Sequence, residues 1–147
     1  MTVWKVFPAL HEESKEGWIW VYPLERPTVP HVSVLNPAKG RRVVCEQRLI
    51  DDNFRRVYDR EGRSPLPTDS NIVVISGYYR ERLGLRVSAE AGVDLSVSPA
   101  RGPFAGMRAG VTHPSSAIRT ATWLGIVFGS LSVALGVLSV VLAVILR

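Results

Sequence analysis

Hydrophobic and polar positions alternate in three rhythms along this chain. Up to about Pro99 the apolar residues fall in short β-branched and aromatic runs separated by turn residues. These are "TVWKVF" (2–7), "GWIWVY" (17–22), "HVSVL" (31–35), "RRVVCEQ" (41–47) and "NIVVIS" (71–76), each predicting a strand. Two further short strands, "RVSAE" and "VDLSV", are expected around a turn at Ala91-Gly92. "NPAKG" (36–40) reads as a turn, because Asn-Pro initiates turns and Gly40 tolerates positive φ. Between 48 and 60 the period lengthens: Leu49, Ile50, Phe54, Val57 and Tyr58 recur every three to four residues. That spacing predicts a short amphipathic helix near 50–61, with Asp51 or Asp52 as its N-cap.

The third rhythm is no rhythm at all. Residues 121 to 146, "ATWLGIVFGSLSVALGVLSVVLAVIL", carry no charge. A bilayer core of about 30 Å takes roughly 20 helical residues, so a single C-terminal transmembrane helix is expected over 119–146. The chain then divides into a soluble β-rich domain (1–98), a tether rich in Pro, Gly and Arg (99–118) and this helix. The fold class expected is a small β-rich domain in the cytoplasm, α+β or barrel-like, followed by the single span. "MTVWKVFPALHEE" lacks the apolar core of a signal peptide, so the anchor is expected at the C-terminus alone.

Charge changes the picture at one place. The net charge is +5. Residues 1–75 are nearly balanced, whereas 76–119 hold six arginines against Glu81, Glu90 and Asp94. Arg101, Arg108 and Arg119 precede the span and are expected to meet anionic lipid headgroups. The positive-inside rule puts the N-terminal domain in the cytoplasm and the C-terminus on the opposite side. Nucleic-acid binding is not expected, as no helix-turn-helix, zinc-finger or aromatic-basic signature accompanies the charge.

Candidate chemistry is sparse. Cys45 is the single cysteine, so no intrachain disulfide forms. His11, His31 and His113 show no metal-ligand spacing, and neither metal nor cofactor is expected. An enzyme would have to use Cys45 with His31, but a cysteine after two valines in a strand reads as a small buried hydrophobe. Lys39, Arg41 and Arg42 in "NPAKGRR" offer an anion cradle or a solvated turn. Trp4, Trp18, Trp20 and Tyr22 crowd the N-terminal region. If Trp18 and Trp20 share a strand face, that face is either covered or a docking surface.

Within the span, Gly125, Gly129, Ser132, Gly136, Ser139 and Ala143 recur at alternating steps of four and three residues. That is the period of a packing seam. Small residues let a second helix approach closely in lipid, where no hydrophobic force drives association.

The stretch "NIVVISGYYRERLGLRVSAEAGVDLSVSP" (71–99) resembles the repeating half of cradle-loop barrels of the double-psi and swapped-hairpin type. There, a strand leads into a short helical turn ending in Leu-Gly-Leu or similar. The resemblance implies a small barrel, departs from the pattern at "SAEAG", and leaves Val43–Tyr58 as the place for a second copy. Such barrels serve enzymes and binding modules alike. The function expected is that of a non-catalytic accessory subunit, its helix packed against other membrane subunits or a second copy of itself. The alternatives are a tethered binding module for a soluble partner and a tethered enzyme.

Overall fold

The computed structural model describes residues 2–22, 29–60, 65–68, 70–85 and 92–146. Its strands are β1 (Thr2–Pro8), β2 (Trp18–Tyr22), β3 (His31–Asn36), β4 (Arg41–Leu49), β5 (Ile72–Ile75) and β6 (Gly92–Pro99). Its helices are α1 (Asp52–Arg60), α2 (Gly77–Arg82), α3 (Ala105–Val111) and α4 (Ser116–Ile145). The strand expected at 86–90 lies outside the described residues.

The strands close into a barrel in the order β1-β5-β2-β4-β3-β6. β1·β5 and β2·β4 are parallel, and the remaining pairs are antiparallel. This order is unchanged when β1, β2 and β3 are exchanged with β4, β5 and β6. The registers obey the same exchange. Lys5 opposite Ile72 becomes Arg48 opposite Trp20, and Thr2 opposite Leu95 becomes Cys45 opposite Val32. Val21 and Val73 face each other as counterparts, as do Val34 and Val97. The barrel thus has an internal twofold pseudosymmetry. It matches β5–β6 to β2–β3, and not to the Val43–Tyr58 passage, because pairing order rather than local composition defines the repeat.

Alternation along each strand fills the interior. Val6, Ile19, Val21, Val34, Cys45 and Val73 point into one core with Trp4, Tyr79 and Leu83. β5 is buried on both faces, which explains its unbroken "IVVI". Its outward residues Ile72 and Val74 meet a second cluster, where Phe54 and Tyr58 of α1 pack with Phe7, Ile50 and Leu66. Asp51 caps α1, accepting the Phe54 N–H at 2.7 Å. The β3–β4 turn needs Gly40 at φ +62°. Asn36 donates across it to the Leu83 carbonyl at 2.9 Å, so α2 closes that end of the barrel.

α4 leaves the barrel as a 30-residue helix. It is long and apolar enough to cross a membrane, and none of it is buried.

Candidate functional site

The segment expected to be a tether is a built junction. After β6 the chain folds into α3, which lies on the outside of β3 and β4 and against α4. The Thr112 hydroxyl, at the end of α3, donates to the Val44 carbonyl at 2.7 Å. Gly110 allows the two helices to touch, since a Cβ there would overlap the Thr122 side chain. Gly17 does the same for the His113 ring. Ser115 stands at the N-cap of α4, without a capping bond from its hydroxyl. Its N–H instead donates to His113 Nδ1 at 3.0 Å. Burial, assisted by the Arg119 charge, lowers the His113 pKa below its ordinary 6.5 despite the nearby Glu16. That favours the neutral imidazole which the hydrogen bond requires.

Arg119 is the pin of this joint. Its Nη1 lies 2.7 Å from both the His113 and Pro114 carbonyls and 3.2 Å from the Tyr78 hydroxyl. The guanidinium also sits 5.4 Å from the centre of the Tyr78 ring. Arg119 was expected to face lipid headgroups; in the structure Nη1 of its guanidinium is bonded to the carbonyls just before its own helix and to α2. The carbonyls before a helix and a neighbouring tyrosine satisfy it better than solvent would. No periodicity carries that signal. Arg101 and Arg108 are exposed, as a headgroup contact requires.

Arg42 joins these two. It lines a cleft of about 500 Å³ with Arg101, Arg108, Ser33 and Ser98. It also lines a second, about 520 Å³, with Arg41, Tyr78, Glu81 and Arg82. Arg41 donates to the Glu81 carbonyl at 3.3 Å. The "NPAKGRR" turn therefore contributes Arg42 to the outer face beside α3, while Lys39 is exposed at the tip. Charge counting located Arg101 and Arg108. Arg42 is 59 residues before Arg101 in sequence and only the barrel brings them together.

The other candidates fall apart. Cys45 is fully buried in the barrel core, where desolvation and then Glu46 push its thiol up to about 12. His31 pairs opposite Glu46, one step out of phase with Val32 and Cys45. It therefore faces outward, its ring beside Gly106 of α3. The barrel wall separates thiol from imidazole. Among the described residues no three His, Cys, Asp or Glu side chains converge on a metal site.

The expected aromatic docking surface is already occupied. Trp4 lies inside the barrel. Trp18 carries the Arg48 guanidinium 3.4 Å above its ring. Trp20 stacks on Phe54 at 4.2 Å and donates to Glu13 at 3.0 Å. Tyr22 is covered by Arg55 at 4.5 Å. With Ile19 and Val21 facing the core, β2 is covered on both faces, and cation–π contacts close its outer side.

On α4 the small-residue stripe is open. Among the described residues nothing comes within 4 Å of a Cβ placed on Gly125, Gly129 or Gly136. Ser132 and Ser139 donate to the Phe128 and Leu135 carbonyls, each at 2.9 Å, so their hydroxyl protons are spent within the helix. Ala143 continues the stripe, exposed like the rest. No family model, curated protein or solved structure matches the chain.

Proposed function

We propose that α4 spans a membrane, with the barrel on the cytoplasmic side. We further propose that the chain acts as a non-catalytic accessory subunit of a membrane complex, packing through the stripe from Gly125 to Ala143. The observation that carries this reading is the contrast within one chain. The barrel buries its apolar residues almost completely, whereas Leu124, Phe128, Leu131, Leu135 and Leu142 of α4 are all about half exposed or more. So much contiguous apolar surface needs an apolar solvent. The arginine excess ahead of the span supports the cytoplasmic side for the barrel. The built junction favours a subunit over a free-swinging bait, because it holds the barrel at one height and angle above the helix.

The test is purification of the tagged full chain in mild detergent, with identification of co-purifying chains. Gly129→Leu with Gly136→Leu is expected to abolish a specific partner without preventing insertion. Leu131→Ala with Leu138→Ala, on the opposite face, is expected to spare it. A chain that purifies alone, or a partner indifferent to the glycine changes, overturns the subunit reading. Extracellular or periplasmic labelling of the barrel overturns the orientation.

A further inference from the structure

We infer that the cleft between α3 and the outer face of β3, β4 and β6 binds the phosphate of an anionic phospholipid headgroup, in the leaflet that α4 enters. The inference rests on the membrane-spanning reading of α4.

The chemistry comes first. Ser33 and Ser98 face each other in register on the cleft floor, and Arg42, Arg101 and Arg108 stand around them. Among the described residues no carboxylate lines the cleft, and no Asp or Glu follows Asp94 anywhere in the sequence. Among the described residues the ion pair formed is Arg48–Glu46, so none of these three arginines is neutralised. Three guanidinium groups around two hydroxyls supply planar, directional donors suited to a phosphate. A shared anion also relieves their mutual repulsion.

Depth is the second argument. α4 has 30 residues, about 45 Å at the usual helical rise, against about 30 Å of hydrocarbon. Its first two turns, where Arg119 is the last charge, therefore lie at headgroup level. Gly110 of α3 touches Thr122 in that stretch, which brings α3 to the same level. Phe104 and Met107 are 58% and 40% exposed beside the arginines, and Trp123 is 53% exposed. Apolar and aromatic side chains interleaved with arginine are what an interfacial surface presents.

The third argument separates a lipid from free phosphate. Arg42, Val44 and Arg108 also line an adjoining slot of about 260 Å³ with Met107 and Val111. The phosphate cleft thus continues into an apolar one, placed to take the glycerol and first methylenes. Inorganic phosphate has no use for it.

The full chain in neutral detergent micelles is titrated with dihexanoyl phosphatidylglycerol, dihexanoyl phosphatidylcholine and inorganic phosphate. The readouts are the NMR signals of Ser33, Ser98 and the arginine Nε–H groups. Saturable shifts with phosphatidylglycerol alone are expected. Arg42→Gln and Arg108→Gln should each weaken them about fivefold, and Arg56→Gln on α1 should leave them unchanged. Unsaturable shifts, equal binding of the choline lipid, or equal weakening by Arg56→Gln overturn the site. Inorganic phosphate binding as tightly as the glycerol lipid overturns its assignment to a lipid. Alkaline extraction of the same chains from membranes separates the two readings. A retained chain that fails the titration counts against the cleft alone, whereas release of the unmodified chain overturns the span.

Discussion

At the scale of single residues, Arg119 and Cys45 show how placement overrides type. Arg119, an arginine in the first turn of the long apolar helix, serves its own backbone. Charged hydrogen bonds of this kind contribute about 1.5–3 kcal/mol, so Arg119→Gln should loosen the turn at His113–Ser115. Amide exchange there should quicken on the order of tenfold or more, while Tyr78→Phe, which removes one acceptor, has a smaller effect. Unchanged exchange in both variants would mean that α3 alone holds the joint. Cys45 titrates in the opposite sense from a catalytic thiol. Its folded pKa is raised from 9.0 to about 12, so the folded state keeps a proton that the unfolded chain loses. Its contribution to stability is complete below pH 9 and is lost as pH rises from there toward 12, by about 1.4 kcal/mol per unit. Chemical denaturation across that range should show the decline, and Cys45→Ala should flatten it. Thiol reagents should label Cys45 only after unfolding.

At the scale of elements, the junction depends on glycine where two backbones must meet. Gly110→Val drives a side chain into Thr122 and should separate α3 from α4. The expected signature is faster exchange across Thr112–Arg119 with the barrel strands unaffected. Gly125→Val, which meets nothing among the described residues, is the matched control and should change neither. If the two behave alike, the α3–α4 contact does not hold the joint. α1 was legible in sequence because its 3.6-residue period and Asp51 cap are local. α3 was not. "SPARGPFAGMRAGVTHPSS" holds three prolines and three glycines, the composition of a linker. Its helix exists because Ala109 is buried, Thr112 is bonded to β4, and Gly110 fits against Thr122.

At the scale of the whole molecule, closure is the property that matters. β1 pairs with β5 on one side and β6 on the other, joining residues 67 apart across the first seam and 87 to 93 apart across the second. Removing residues 2–8 should expose both neighbouring strand edges, take Trp4 and Val6 from the core, and abolish the cooperative thermal transition seen by circular dichroism. A surviving sharp transition would mean that the remaining sheet is stable without closure.

What the sequence determined by itself is everything with a local period or a local composition. The strands alternate, α1 repeats, the turn at Gly40 needs positive φ, and α4 is uncharged from 121 onward for longer than the hydrocarbon core of a bilayer is thick. Tertiary structure alone decided which side of the wall each alternating residue would face and which distant residues would meet. It set Cys45 inside and His31 outside, covered Trp18 and Trp20, turned a linker into a joint, and brought Arg42 to Arg101 and Arg108. The physical reason is that periodicity encodes burial, whereas partnership depends on strand order and register. Those are chosen by the closed barrel as a whole.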